Sequence, residues 1–187
     1  MKIKQLSIKH KKYSKYKNQQ GFSLIELALV IAVIAIMIIG SIVIYNSLSG
    51  NVKNEEMTKQ ISMISEGVTK LYRPSGGDYT GLTTQTVINA GFVMSDMLHG
   101  AVGAQVIGTS WYGKDNTSVI TVAPYNTTQF QITVTNIPKD NCTTIGAKYL
   151  HGNSLGVTAN GQAVTTSDTL ATACAGNDPA TLVLTFY

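Results

Sequence analysis

Residues 17–31, KNQQGFSLIELALVI, decide the fold, because a basic and polar segment gives way there to an apolar one. The change takes place at Gly21, and a single acidic residue, Glu26, follows inside the apolar part. A carboxylate within a membrane-spanning helix costs about 3 kcal/mol unless it is paired or lies near the interface. Glu26 therefore requires either a partner or a position near the interface.

The stretch that follows, residues 27–45, is LALVIAVIAIMIIGSIVIY and contains no charged residue. A run of about 18 such residues is long enough to cross a bilayer as a helix. Residues 1–21 contain seven of the 14 basic residues of the chain, all lysines, and no acidic residue. Lysines on that side predict a cytoplasmic N-terminus and a C-terminal part in the periplasm or beyond.

Three interpretations fit parts of this pattern. An ordinary secretory signal has an apolar core of roughly 7–15 residues; this run is longer, although residues 47–49 offer a weak cleavage site. A plain membrane anchor explains the length and the lysines but not Glu26, and the lysine run alone also fits a solvated basic tail. In the third interpretation the chain is cut between Gly21 and Phe22. The new amine then pairs with Glu26 of the same chain or of a neighbour, which offsets the cost of burying the carboxylate.

The sequence GFSLIELALVIAVIAIMIIG, residues 21–40, resembles the class III signal of type IV pilins. In that family a membrane-embedded prepilin peptidase cuts after the glycine and N-methylates the new first residue, and a glutamate at the fifth mature position is needed for assembly. The resemblance implies a cleaved basic leader over residues 1–21, cleavage after Gly21, methylation of Phe22 and a role for Glu26 in assembly.

A long helix is expected over residues 22–72, because no proline occurs before Pro74 and the sequence RPSGG at 73–77 is typical of a helix end. Its first part, 22–45, is apolar on every face and would lie in the membrane or in a filament core. Its second part, 46–72, is amphipathic and should pack against a globular domain. The apolar stripe consists of Met57, Ile61, Ile64, Val68 and Leu71.

Two glycines in this helix, Gly40 and Gly50, each lower helix propensity by about 1 kcal/mol relative to alanine. We expect the helix to loosen or bend near them in an assembled filament. Hydrogen exchange of filaments tests this hypothesis, which fails if residues 38–51 are as protected as residues 55–70.

After the long helix, the sequence predicts a connecting loop at 73–82 and a globular head at 83–187. The head is expected to be an α+β fold with a mainly antiparallel sheet packed on the long helix. Asn160-Gly161 is a strong hairpin signal between two β-prone runs. The other expected elements are a short capped helix from Thr83, strands at 118–122 and 130–135, helices at 138–150 and 167–175, the latter capped by Ser167, and a final strand at 181–187.

The two cysteines, Cys142 and Cys174, most simply form a disulfide outside the membrane, with two free buried thiols as the alternative. Closing this 33-residue loop stabilises the fold by about 3.7 kcal/mol in the chain-entropy model. The layout resembles the disulfide-closed D-region of type IV pilins, here 142–174. The long leader and the α+β head resemble the IVb subclass, which includes bundle-forming pilins and conjugative thin-pilus pilins, although Phe22 as first mature residue is more typical of IVa.

No catalytic motif, cofactor-binding motif or metal-ligand spacing stands out, so neither enzymatic activity nor a cofactor is expected. His99 is interpreted as a loop residue, and Trp111 and Tyr112 as core or subunit packing. Without residues 1–21 the chain has seven basic and ten acidic residues, which gives a net charge of −3. That balance argues against nucleic acid as a partner.

The resemblance therefore implies a major subunit of a type IVb pilus, a helical homopolymer used for adhesion, aggregation or conjugative mating. Its expected partners are other copies of itself, the prepilin peptidase, the inner-membrane assembly machinery and, before assembly, the membrane. The precursor is expected in the inner membrane and the mature protein in an extracellular pilus. The alternatives are a minor pilin, a type II secretion pseudopilin, or a membrane-anchored periplasmic binding domain that does not polymerise.

Overall fold

The computed structural model describes residues 23–114, 116–152 and 154–187. The predicted leader and the predicted cleavage and methylation positions, Gly21 and Phe22, lie outside the described residues. The chain divides into two compact units, Met1–Ile44 and Tyr45–Tyr187. The first helix, α1, begins at Leu24 and ends at Tyr72, and it contributes to both units.

In the first unit, α1 is apolar on all sides after Glu26. The segment Leu24–Ile42 is long and apolar enough to cross a membrane, and none of it is buried within the structure. Its large apolar side chains are exposed by 43% to 88%. So much exposed aliphatic surface is unfavourable in water, so this segment requires lipid or other protein around it.

In the second unit, α1 is amphipathic and provides one wall of the hydrophobic core. Four of the five predicted stripe residues, Met57, Ile61, Ile64 and Val68, are fully buried. The prediction was wrong for Leu71, which is 41% exposed. The following residue, Tyr72, packs against the core instead, because its ring lies 5.3 Å from that of buried Tyr79.

The head contains one seven-stranded antiparallel sheet with the strand order β1-β2-β3-β4-β7-β5-β6. Its strands are β1 (Leu98–His99), β2 (Val106–Gly108), β3 (Val119–Asn126), β4 (Gln129–Ile137), β5 (Gly156–Ala159), β6 (Gln162–Val164) and β7 (Ala180–Phe186). The hairpin expected at Asn160-Gly161 is confirmed as the β5–β6 connection. The interpretation of His99 as a loop residue was wrong, because it pairs with Val106 in β1.

The described part of the head also contains three α-helices: α2 (Thr84–Asn89), α3 (Lys139–Tyr149) and α4 (Ser167–Ala175). Thr83 caps α2 as expected, because its side chain accepts a hydrogen bond from the backbone N–H of Thr86. The cap predicted for α4 was off by one residue. Thr166, not Ser167, accepts from the backbone N–H of Thr169, whose side chain in turn accepts from the N–H of Thr166.

The sheet separates a buried face from a polar one, because successive side chains of a strand point to opposite sides. On β4, Phe130, Ile132 and Val134 are buried together with Leu182 and Leu184 of β7. These residues and the buried stripe of α1 belong to one core cluster. The predicted α+β fold, a mainly antiparallel sheet packed on a long helix, is confirmed.

The segment after α2 is attached to α1 by two contacts that the sequence pattern does not show. Gln60 is fully buried, its side-chain amide donates to the carbonyl of Phe92 at 3.3 Å, and its carbonyl accepts from the N–H of Met94 at 3.0 Å. Gly67 lies about two turns further along the same face of α1 and leaves room for the ring of Phe92. A Cβ atom at Gly67 would lie only 2.4 Å from that ring.

We expect Gly67→Ala to lower the free energy of unfolding by about 2 kcal/mol, because the added methyl group displaces the Phe92 ring from its site. Gly50→Ala is the matched control in the same helix, since a Cβ atom there meets nothing within 4 Å. It should raise stability by up to about 1 kcal/mol. Thermal unfolding of the detergent-solubilised full chain measures both, and equal shifts of the same sign would contradict the prediction.

Candidate functional site

Glu26 lies in the first turn of α1, where the structure also shows how the helix begins. The backbone N–H of Glu26 donates to Oγ of Ser23 at 3.3 Å, and the N–H of Leu27 donates to the Ser23 carbonyl at 3.1 Å. Ser23 therefore caps the helix. A carboxylate in the first turn also interacts favourably with the helix dipole. The Ser-x-x-Glu spacing of a capping box, Ser23 to Glu26, is visible in the sequence and marks this helix start.

The surroundings of Glu26 are apolar. Within the segment Leu24–Ile42 it is the only charged residue. The hydroxyl of Ser41, a polar group near the other end, donates to the carbonyl of Met37 at 2.7 Å. One carboxylate thus stands out on an otherwise neutral and exposed apolar helix, which is the arrangement expected of a group that pairs with a cation from elsewhere.

Gly40 and Gly50 both lie within α1. A Cβ atom at either position would meet no other atom within 4 Å, so no close contact inside the chain requires a glycine there. Their low helix propensity is therefore a candidate reason for their presence. Loosening of the helix near them in a filament stays a prediction.

The disulfide between Cys142 and Cys174 joins α3 to α4, as the sequence predicted, and both residues are fully buried. The two helices also approach closely at Gly146, where a Cβ atom would lie 2.9 Å from a methyl group of Leu170. The bond and this contact together hold α4 onto the core beside the last strand. The alternative of two free thiols is excluded.

Asn160 connects the hairpin to its surroundings through its side chain. Its amide nitrogen donates to the carbonyl of Ala173 in α4 at 2.8 Å, and its carbonyl oxygen accepts from the N–H of Thr181 in β7 at 2.8 Å. Its backbone is left-handed, with φ of 48°, as the tight turn requires. The sequence identified the turn at Asn160-Gly161 but not these two bonds.

Replacing Asn160 by glycine should lower the free energy of unfolding by about 2 kcal/mol. Glycine keeps the left-handed backbone, so the loss comes from the two side-chain hydrogen bonds and the partners left without them. Asn116→Gly is the control, because Asn116 also has a positive φ of 59° and is exposed. Urea unfolding of both variants checks the prediction, and an equal effect at the two positions would contradict it.

The remaining residues that the sequence singled out serve packing in the described structure. Trp111 packs against the core, and the rings of His99 and Tyr112 stack 3.9 Å apart.

Burial raises the pKa of Tyr149, whose hydroxyl donates to the carbonyl of Thr58, while a hydrogen bond with Ser62 opposes that shift. Within residues 23–114, 116–152 and 154–187, no three His, Cys, Asp or Glu side chains are placed to hold a metal ion.

Two protein families match this chain. The family described as "PilS N terminal" matches residues 50–187, and the "Prokaryotic N-terminal methylation motif" matches residues 16–42. The second match contains Gly21, Phe22 and Glu26. No curated protein matches the chain.

Two solved structures are similar to this chain. A type IV b pilin from Salmonella typhi is 20% identical over 71% of this chain and 98% of its own length, with a TM-score of 0.56. TcpA, a type IV pilin from the Vibrio cholerae El Tor biotype, is 13% identical over 72% of this chain and 99% of its own, with a TM-score of 0.47. By the match over residues 50–187, the methylation motif and the shared fold, this chain belongs to the PilS N-terminal family and is a type IV pilin-like protein.

Proposed function

We propose that this chain is the precursor of the major subunit of a type IVb pilus. In this proposal a prepilin peptidase cuts between Gly21 and Phe22 and methylates the amine of Phe22. The mature chain then polymerises into a surface filament that serves adhesion, aggregation or conjugative mating. The protein acts as a structural subunit and a substrate of the peptidase, not as an enzyme.

The observation that carries the proposal is that the methylation motif and a single carboxylate occur together on an exposed apolar helix. Before assembly, lipid surrounds the segment Leu24–Ile42, with the lysine-rich N-terminus in the cytoplasm and the head in the periplasm. Outside the membrane the same apolar surface is covered only if several copies pack their helices together. The inner-membrane assembly machinery would move the subunit between these two environments.

Glu26 gives this packing a register. The amine of Phe22, four residues away in sequence, supplies a cation of the same or of a neighbouring subunit. A carboxylate in an apolar bundle is stable only beside such a cation, so subunits that are shifted along the helix axis lose the pair and are disfavoured. The disulfide-closed head, attached through the buried stripe of α1, would then cover the outside of the filament.

Intact mass spectrometry of sheared surface material and of membranes, with and without reductant, tests the proposal. We expect a chain that starts at Phe22, is heavier by one methyl group, and is lighter by two hydrogen atoms until it is unfolded and reduced. Its presence in the sheared fraction would identify a filament subunit. A chain that keeps residues 1–21, or one that starts after residue 49, would contradict processing at Gly21.

Abundance and quaternary state separate the alternatives. A minor pilin would occur in the sheared fraction at a small fraction of the amount of another pilin, and a secretion pseudopilin would remain with the membranes. A membrane-anchored binding domain that does not polymerise would tolerate the loss of Glu26 without any change in its distribution. Nucleic acid is not an expected partner, because the chain from Phe22 onward carries a net charge of −3.

A further inference from the structure

The outer face of the sheet carries a groove to which the proposed pilus function assigns no role. It has a volume of about 560 Å³ and lies where β3, β4, β5, β6 and β7 approach the chain that follows α3. Pockets that bind small ligands commonly have volumes of about 300–1,000 Å³. Its floor includes Gln131 of β4 and Thr185 of β7, which are register partners on the face opposite to the core.

The chemistry of the lining is neutral and rich in groups that both donate and accept hydrogen bonds. Every described residue that lines the groove is uncharged. The amides and hydroxyls belong to Gln129, Gln131, Thr158, Thr165 and Thr185, among others. The amide nitrogen of Gln131 donates to Oγ1 of Thr185 at 3.3 Å, and the carbonyl oxygen of Gln129 accepts from Asn126 at 3.0 Å. The carbonyl oxygen of Gln131 therefore remains available to accept a hydrogen bond from a ligand, and the amide nitrogen of Gln129 remains available to donate one.

One of the residues that line the groove is a glycine. Gly156 pairs with Thr185 at the start of β5, and its backbone does not have a positive φ. A Cβ atom at this position would meet nothing within 4 Å. Neither backbone geometry nor packing therefore requires a glycine, although glycine weakens a strand. A glycine of this kind is typical of a place where another molecule approaches the sheet.

A bulge places an aromatic side chain at the other side of the groove. Between Pro124 and Asn126 of β3 the pairing with β4 shifts by one residue, which makes Tyr125 the extra residue. Such bulges change the direction of a side chain and occur next to binding sites. Tyr125 lines the groove and is 60% exposed, so the fold has not buried it for stability.

We propose that this groove binds a neutral oligosaccharide. Sugar hydroxyls both donate and accept hydrogen bonds, as do the amides and hydroxyls of the lining. The ring of Tyr125 provides an apolar surface for the C–H face of a sugar ring, with a polar hydroxyl at its edge. The lack of charge in the lining favours an uncharged ligand, because an anionic ligand would lose its hydration without gaining a cation.

Binding to the purified full chain tests this proposal, in a detergent without a sugar head group. The probes are neutral hexasaccharides of glucose, galactose and mannose, with hexagalacturonate as the charged control. We expect at least one neutral probe to bind, with a dissociation constant on the order of 0.1 mM, and hexagalacturonate not to bind. Failure of all three neutral probes, or stronger binding of hexagalacturonate, would overturn the proposal.

Three variants locate the site. Gly156→Val places a branched side chain inside the groove, in a strand that tolerates a β-branched residue, and it should abolish binding while the thermal unfolding temperature stays the same or rises. Tyr125→Ala should weaken binding about tenfold. Tyr187→Ala is the control, because Tyr187 is exposed to a similar degree, 67%, and does not line the groove.

Unchanged affinity in Gly156→Val would contradict the proposed site. The proposal would also be contradicted if no neutral probe bound and Gly156→Val no longer self-associated in sedimentation. The groove would then bind a second copy of the chain. These outcomes are independent of processing at Gly21, which the mass measurement tests separately.

Discussion

Glu26→Gln should abolish filaments while the protein accumulates in the membrane at normal levels. Glutamine has nearly the same shape and is a good residue at the third helical position, but it cannot form an ion pair with the Phe22 amine. In an apolar bundle the unpaired ammonium group would cost several kcal/mol in every subunit, which is enough to prevent polymerisation. The measurement is the amount of the chain in the sheared surface fraction, with the membrane fraction as the reference.

The capping role of this region provides the matched control. Ser23 caps the first turn of α1 through its hydroxyl oxygen, and Ser23→Ala removes that bond without changing any charge. If Glu26 acts by stabilising the helix start, both variants should reduce filaments to a similar extent. If it acts through its charge, Ser23→Ala should retain filaments, because the loss of one cap costs only about 1 kcal/mol. Filaments formed by Glu26→Gln at normal levels would contradict the proposed pairing.

The sequence predicted the α+β class because that class rests on strong and local signals, and it predicted the disulfide because the chain has two cysteines that can pair outside the membrane. The all-apolar run at 27–45, the stripe from Met57 to Val68 and the Asn160-Gly161 turn each fit one periodicity or one turn type. The strands β1 and β2 were missed because two or three residues are too few to show an alternation. Burial of Leu71 was predicted wrongly, because the spacing of apolar residues along a helix does not reveal where the domain packed against that helix ends.

The contacts that were not predictable join residues far apart in the chain. Gln60 appears in the sequence as a polar residue of a helix, yet its partners at Phe92 and Met94 lie more than 30 positions away. The groove likewise depends on register, since Gly156 and Tyr125 reach it only through their places in β5 and β3. Residue types at single positions carry no signal for such pairings, because the same types also occur on solvated surfaces.

Replacing both cysteines, Cys142→Ala with Cys174→Ala, should lower the free energy of unfolding by about 3.7 kcal/mol, the value expected for opening a loop of this length. For a chain of this size that corresponds to a fall in Tm of roughly 10 °C. The native fold should remain, because Asn160 and the close contact at Gly146 still hold α4 in place. The circular dichroism spectrum at 25 °C should therefore be unchanged.

Reductant gives an independent check on the same bond. Both cysteines are fully buried, so reductant should leave the native wild-type chain oxidised and act only after unfolding. Wild type unfolded and refolded in reductant should then match the double variant in Tm, while untreated wild type keeps the higher value. Because the loss arises mainly from greater freedom of the unfolded chain, the double variant should still form filaments, and these should dissociate at a lower temperature. If the free energy of unfolding fell by less than about 1 kcal/mol, the packing of α3 on α4 would hold this region without the bond.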